Sequence, residues 1–154
     1  MEVQIEKLSS GDINKFQEVI EVFEDVFEME NFVMPEKSYL QQLLERDDFF
    51  VCAAVINSRV VGGLTSYLLR QYYSLLPLIY IYDLGVLSQF QRQGIGRQLI
   101  TATLSYGKEI GAEEVFVQAD EDDDIAQLFY KSTGGIAQKA THFCYPLNTD
   151  KPVK

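Results

Sequence analysis

Residues 78–110 read LIYIYDLGVLSQFQRQGIGRQLITATLSYGKEI, and this stretch decides the fold class. Its first part, Leu78 to Val86, is rich in β-branched and aromatic residues and predicts a strand. After the glycines Gly94 and Gly96, apolar residues recur at steps of three or four, which predicts a helix with one buried face. The residues of that predicted face are Ile95, Leu99, Ala102, Tyr106 and Ile110. Gly111 is placed to end the helix, so the two glycines lie where a strand passes into a helix.

The turn between this strand and this helix has the chemistry of an anion site. The first N–H groups of a helix have no intrahelical partners, and the aligned peptide dipoles make that end partly positive. Because glycine lacks a Cβ, an anion can approach its backbone closely. We therefore predict pyrophosphate binding at Gln91, Gly94, Gly96 and Arg97, with glycines that serve packing alone as the alternative. Gly96 is not followed by Lys-Ser/Thr, which excludes a Walker loop, and Leu99 replaces the third glycine of a dinucleotide fingerprint.

Two sets of motifs resemble a known group of enzymes. Leu84-Gly85-Val86 followed by Gln91-x-x-Gly94-x-Gly96 resembles the acetyl-CoA motif of the GNAT superfamily of N-acetyltransferases. More narrowly, IYIYDLGV at 79–86, VQAD at 117–120 and the pair Asp123-Asp124 are similar to the aminoglycoside 3-N-acetyltransferases of that superfamily, enzymes of antibiotic resistance. The likeness runs from about Tyr39 to Leu147 and so covers most of the chain.

The order of the predicted elements and the resemblance imply the same mixed α/β fold. Two antiparallel strands joined by a tight turn at Asn57-Ser58 come before a strand–helix–strand–helix section. The GNAT likeness implies a central, mostly antiparallel sheet flanked by helices, with one splayed parallel pair formed by Leu78–Val86 and Val115–Ala119. The pattern of Ala137–Leu147 predicts one or two final strands. We expect a single N-acetyltransferase domain over residues 1–154.

The resemblance implies acetyl-CoA as the cosubstrate, with no metal. The splay between the parallel strands would let the pantetheine arm hydrogen-bond to the backbone of Leu84, Gly85 and Val86, like an added strand. The remaining residues predicted to bind the cofactor form the following turn: Gln91, Arg92, Gln93, Gly94, Ile95, Gly96 and Arg97.

Asp83 and Tyr130 are the predicted catalytic residues. Acetyl transfer to an amine needs a neutral amine and benefits from a proton for the departing thiolate. Asp83 interrupts an apolar strand, and burying an unpaired charge costs several kcal/mol, roughly, so it needs a partner or a ligand. In the resembling enzymes the matching aspartate faces the amine, as base or anchor, and the matching tyrosine lies near the CoA sulfur. The alternatives are a carboxylate bonded to backbone amides at a bulge and a tyrosine packed against the sheet.

Five consecutive acids occupy positions 120–124, directly before the last predicted helix. One of Asp122 to Asp124 is expected to cap that helix. A calcium loop is excluded because Ile125 and Lys131 stand where glycine and glutamate are needed. The loop follows a parallel strand, where α/β sheets place their ligands. We therefore predict that a polycationic amine is held by Asp83 and by the loop residues Asp120, Asp122, Asp123 and Asp124.

The charge of the chain limits its partners. The net charge is -10, which argues against nucleic acid and anionic membranes and favours a cationic small molecule. The acidic side of the first helix, Glu18 to Glu28, is interpreted as solvated surface. Without a membrane-length apolar run, and with Cys52 and Cys144 read as buried reduced thiols, we expect a cytoplasmic protein. A homodimer would follow the habit of the superfamily.

Three functions are compatible with these patterns. The first is an acetyl-CoA-dependent N-acetyltransferase acting on an aminoglycoside. The second is an enzyme that acetylates a polyamine or a peptide or protein amine. The third is a CoA-binding regulatory module without turnover, against which the joint presence of Asp83 and Tyr130 argues.

Overall fold

The computed structural model describes residues 2–148 and contains a five-stranded sheet. Its strands in chain order are β1 (Gln4–Lys7), β2 (Phe49–Ile56), β3 (Arg59–Leu69), β4 (Leu78–Val86) and β5 (Glu114–Val117). They lie side by side in the same order; neighbours from β1 to β4 are antiparallel, and β4 and β5 are parallel. This is the mixed α/β sheet with one parallel pair that the sequence predicts.

The helices are α1 (Ile13–Val26), α2 (Lys37–Leu44), α3 (Ile95–Ile110) and α4 (Asp124–Ser132), with a short 3-10 helix at Ser88–Phe90. The chain divides after Asp120 into two compact units, so that the sheet and the first three helices form one unit and α4 belongs to the other. The predicted bounds of β4 and α3 are confirmed. Glycine explains the sharp end of α3, because Gly111 follows it with a φ of 76°, a conformation that other residues rarely adopt.

Glycines bring α1 and α3 close to opposite faces of the sheet. A Cβ on Gly63 of β3 would lie 2.5 Å from Cγ1 of Val19 on α1, so only glycine admits the helix at this distance. On the other face, a Cβ on Gly107 of α3 would lie 3.3 Å from both Ile79 and Val115. Glycine within a strand often marks a close backbone approach, and Gly63 provides one here.

The buried face of α3 differs in part from the predicted one. Its buried residues are Ile95, Leu99, Ile100, Thr103 and Gly107. Ala102, Tyr106 and Ile110 are only half-buried. The buried face of α3 is rotated relative to the predicted one because it includes two small residues. Gly107 allows the sheet to approach closely, and the Thr103 hydroxyl can be buried because it donates to the Leu99 carbonyl at 2.9 Å.

Two expectations for the C-terminal part are wrong. Up to residue 148, where the description ends, residues 136–148 form neither helix nor strand. The side chains of Phe143, Tyr145 and Leu147 are exposed, and so is Cys144, whereas Cys52 is buried as expected. A strand exists only when a second strand satisfies its backbone, and a pattern of side chains does not supply that partner.

Candidate active site

The strands β4 and β5 part where the candidate site begins. Residues Leu78–Ile81 of β4 pair with Glu114–Val117, and β5 ends there. β4 continues to Val86 along β3. In the described part of the chain, Asp83–Val86 therefore has a neighbouring strand only on the β3 side. The opposite edge of this segment, which includes Leu84, Gly85 and Val86, has the geometry that accepts an extended ligand as an added strand.

The turn that follows β4 presents the start of α3 without a side-chain cap. Gly94 is the N-cap residue, with a φ of 81°, and as a glycine it has no side chain to cap the helix. A Cβ on Gly94 would meet nothing within 4 Å, so the space above this backbone is open. Arg92 also has a positive φ, of 60°. The start of α3, with its dipole, thus has the geometry that accepts an anion.

Gln91 secures this turn to the end of β4. Its side-chain Nε2 donates to the carbonyl oxygen of Val86 at 2.9 Å. One hydrogen of the Gln91 side-chain amide is thus used within the protein, while Gln91 and the backbone of Arg92 to Arg97 stay the predicted anion ligands.

Replacing Gly94 with valine is expected to weaken acetyl-CoA binding at least tenfold, about 1.4 kcal/mol. Valine is strained at a φ of 81° and places a branched side chain over the open backbone. Isothermal titration calorimetry measures the effect. Gly111→Val is the matched control, since Gly111 has a similar φ of 76° and equally open surroundings at the other end of α3. Equal affinity in both folded variants would contradict an anion site at Gly94.

Asp83 lies on β4 beside a bulge. The register pairs Thr65 with Asp83 and Ser66 with Ile81, so Tyr82 is an extra residue in β4. Asp83 is half-buried, on the sheet face that α1 covers further along the strands. A bulge is one part of the alternative in which the Asp83 carboxylate is bonded to backbone amides, and both roles of Asp83 stay predictions.

Aromatic rings lie on the same face of the sheet as Asp83. Tyr67, opposite Tyr80 in the register, has its ring centroid 5.8 Å from that of Tyr82. Burial raises the pKa of Tyr67, and the phenols of Tyr82 and Tyr39 and the carboxylate of Asp83 raise it further, against a lowering by Arg46. The Asp83 carboxylate therefore acts electrostatically on a ring surface that sequence reasoning did not include in the site. The alternating tyrosines at positions 80 and 82 are the feature of the sequence that could have indicated this ring surface.

An acidic groove opens at the end of α1. It encloses about 670 Å³ and is lined by Glu21, Glu24, Asp25, Glu28, Met29, Phe32 and Met34. The same turn of α1 packs Phe23 and Phe27 against Gly85, two residues from Asp83. From the sequence, these acids are interpreted only as solvated surface. The signal that could have revealed the groove is the apolar series at positions 29, 32 and 34 directly after the acidic helix face.

Most of the remaining predicted site residues belong to the second unit. Asp123 caps α4, because its carboxylate accepts from the Ala126 backbone N–H at 3.0 Å. Asp122 and Asp124 are exposed, as is Asp120 at the end of the first unit. Tyr130 lies on α4, half-buried, with its ring 5.2 Å from that of Phe129. The expected helix cap in the acidic loop is thus assigned to Asp123.

Residues 2–148 contain neither a candidate metal site nor a helix that could span a membrane. Between residues 2 and 148, no three side chains of His, Cys, Asp or Glu come together in a way that could hold a metal ion. Over the same residues, no helix is both long enough and apolar enough to cross a membrane.

Fold and turn together define a class of protein. Residues 16–134 match the acetyltransferase (GNAT) family, and the chain belongs to this family. The family implies acetyl-CoA as the cosubstrate. The open backbone at Gly94, the uncapped start of α3 and the edge of Leu84 to Val86 that lacks a neighbouring strand in the described chain fit its pyrophosphate and its pantetheine arm.

Two solved structures of acetyltransferases are similar to this chain. The structure is similar to that of the aminoglycoside acetyltransferase meta-AAC0020 from an uncultured soil metagenomic sample, in complex with sisomicin: identity is 50%, coverage is 95% of this chain and 97% of that chain, and the TM-score is 0.93. A second similar structure is that of the aminoglycoside acetyltransferase HMB0005, also from an uncultured soil metagenomic sample. The sequence identity is 32%, the match covers 96% of this chain and 100% of that chain, and the TM-score is 0.90.

A curated relative lies further away. N-alpha-acetyltransferase 30 of Schizosaccharomyces pombe is 28% identical over 104 residues, which are 68% of this chain. The match spans 62% of the length of that relative.

Proposed function

We propose that this protein is an acetyl-CoA-dependent N-acetyltransferase that modifies an amino group of an aminoglycoside, at the 3-N position. The observation that carries the proposal is Asp83, a half-buried carboxylate at a bulge, directly before the free backbone edge of Leu84 to Val86. That arrangement sets a group that attracts an amine beside a backbone that fits a thioester-bearing arm. The likeness to two aminoglycoside acetyltransferases supports the substrate class.

Each residue has a defined task in this proposal. Backbone amides of Arg92 to Arg97 hold the pyrophosphate, and Leu84 to Val86 hold the pantetheine arm. Asp83 anchors the substrate ammonium or accepts its proton, directly or through a water. The amine nitrogen then forms a bond to the acetyl carbon while the carbon–sulfur bond breaks. The hydroxyl of Tyr130 supplies the proton that the departing thiolate takes up.

Two acidic surfaces favour a substrate with several positive charges. The groove at the end of α1 has four carboxylates in its lining, from Glu21, Glu24, Asp25 and Glu28. In the 120–124 loop, Asp123 is used as a helix cap, while Asp122 and Asp124 are exposed. Exposed carboxylates attract cations over a range that salt limits to ~8–10 Å near physiological ionic strength.

Neutralising Asp122 and Asp124 to asparagine is expected to raise KM for a polycationic substrate about threefold to tenfold at low salt. The effect should shrink as salt is added, because rim charges act mainly through screened long-range attraction. Steady-state kinetics of sisomicin acetylation at two salt concentrations measures it. An Asp123→Ala variant, which removes the helix cap instead, should mainly lower the melting temperature. An unchanged KM at low salt would return the loop to a purely structural role.

The function itself is tested by thiol release from acetyl-CoA with a panel of amines. The panel contains sisomicin, spermidine, a peptide with a free N-terminus and a monocationic amine. Turnover of sisomicin, with the product assigned by NMR to the 3-amino group, supports the proposal in full. Turnover of sisomicin at another amine retains the substrate class and rejects the position.

A second candidate is a peptide N-acetyltransferase. The observation that favours it is the likeness to N-alpha-acetyltransferase 30, at 28% identity. Selective turnover of the peptide in the same panel would support this candidate. Absence of thiol release with every amine, in a protein that binds acetyl-CoA by calorimetry, would instead indicate a regulatory CoA-binding module. The expected homodimer and the cytoplasmic location stay predictions.

A further inference from the structure

The bulge in β4 places two consecutive side chains on one face of the sheet. In a regular strand, neighbours point to opposite faces. Here Asp83 lies opposite Thr65, while the ring of Tyr82 contacts Tyr67 and Tyr80, with centroids 5.8 and 6.0 Å away. Tyr67 and Tyr80 lie on the same face as Thr65, because Tyr67 is two residues further along β3 and is paired with Tyr80. Tyr82 and Asp83 therefore share one surface.

The two neighbouring rings hold Tyr82 in a defined orientation. Both contacts are edge-to-face, at interplanar angles of 77° with Tyr67 and 71° with Tyr80. Tyr80 is itself fixed, since its ring stacks on Phe116 at 4.8 Å and its hydroxyl donates to Gln118 at 3.1 Å. Tyr82 nevertheless remains 46% exposed. A large aromatic side chain is thus held in place at the surface by partners that leave much of it accessible.

An exposed ring beside a carboxylate is a site for an organic cation. The face of a tyrosine ring carries partial negative charge and attracts an ammonium group within about 6 Å of its centroid. A carboxylate next to it adds a charge-assisted hydrogen bond to the same group. The carboxylate and the ring contribute different interactions. The carboxylate accepts hydrogen bonds from the N–H groups of the ammonium, while the ring contacts the carbon that carries the ammonium.

We propose that Tyr82 is a specificity-determining residue, whose ring face binds an ammonium-bearing carbon of the acceptor while Asp83 binds the ammonium itself. The inference rests on the proposed function for its setting, and it assigns to the β4 bulge the selection of cationic amino sugars and polyamines. It concerns binding of the acceptor and requires no proton transfer by Tyr82.

The experiment compares three variants for sisomicin binding and turnover. Tyr82→Leu keeps an apolar side chain and removes the ring, and Tyr82→Phe keeps the ring and removes the hydroxyl. Tyr72→Leu is the matched control, since Tyr72 is 98% exposed on the loop between β3 and β4 and is outside this ring cluster. Calorimetry with sisomicin and with spermidine gives affinities that do not depend on turnover, and kinetics gives kcat and KM separately.

Loss of the ring should raise both Kd and KM about tenfold, within the range of ~2- to 30-fold that a cation–ring contact gives. We expect kcat to change less than about threefold, and Tyr82→Phe and Tyr72→Leu to resemble the wild type. Equal affinities of the wild type and Tyr82→Leu would overturn the inference, as would a wild type that binds neither cation. A loss of affinity in Tyr82→Phe as large as that in Tyr82→Leu would also overturn it, because the hydroxyl would then be the binding group.

The two proposals fail in different ways. Tyr82-dependent binding of sisomicin without thiol release would retain the cation site and reject the acetyltransferase function. Acetylation of sisomicin with unchanged constants in Tyr82→Leu would retain the function and reject the role of Tyr82.

Discussion

Replacing Asp83 with asparagine is expected to lower kcat for sisomicin acetylation by ~10²-fold or more, with acetyl-CoA affinity unchanged. Asparagine is nearly isosteric, so the bulge and the neighbouring rings are retained, whereas the negative charge and the proton acceptor are lost. Added salt should not restore the rate, because a half-buried carboxylate is screened less than an exposed one. Steady-state kinetics at low and high salt measures both effects.

Glu109→Gln is the matched control for this variant. Glu109 is an exposed carboxylate on α3 and is absent from the proposed site, so its neutralisation should leave kcat within about twofold of the wild type. A wild-type kcat in Asp83→Asn would reduce Asp83 to a structural carboxylate at the bulge. A normal kcat with a raised KM would make it a substrate anchor without a role in proton transfer.

Replacing Tyr130 with phenylalanine is expected to lower kcat by ~10²-fold as well, because a group that protonates the departing thiolate contributes about that factor. The affinity for acetyl-CoA should change little, since the ring remains. Thiol release under saturating acetyl-CoA measures kcat, and calorimetry measures the affinity. Tyr145→Phe is the matched control within the second unit, as Tyr145 is 85% exposed.

The outcome separates two roles of Tyr130. A hydroxyl that only faces solvent can be removed without consequence, and Tyr130→Phe would then turn over like the wild type. A normal kcat with a weakened affinity for acetyl-CoA would assign the hydroxyl to cofactor binding and would also contradict a role in proton transfer.

The elements of the first unit could be predicted where local residues determine them. β4 and α3 have the predicted bounds because apolar periodicity fixes their type, and glycine in a left-handed conformation precedes and follows α3. The hairpin turn is equally local, since Asn57 and Ser58 both take a positive φ, as a two-residue connection between twisted strands requires.

The remaining features depend on partners that a linear sequence does not show. The final strands expected at 137–147 had the right side chains, but the described chain offers them no paired backbone. The position of the α3 face depended on which residue of the sheet Gly107 approaches. The extra residue of β4 is likewise a property of the pairing with β3, so the aromatic surroundings of Asp83 could not be derived from β4 alone.

The bulge also changes the alternation of side chains along β4. Even-numbered Tyr80 and odd-numbered Asp83 and Gly85 lie on one face, so the strand changes parity at Tyr82. Deleting Tyr82 would restore strict alternation and leave every other side chain of β4 on its present side. In an ordinary strand, deleting one residue moves all the following side chains to the opposite face of the sheet. Deleting Tyr82 would instead make β4 more regular. The pairing of the sheet therefore does not require Tyr82, and a chain lacking it should fold and lose the cation selectivity proposed for Tyr82.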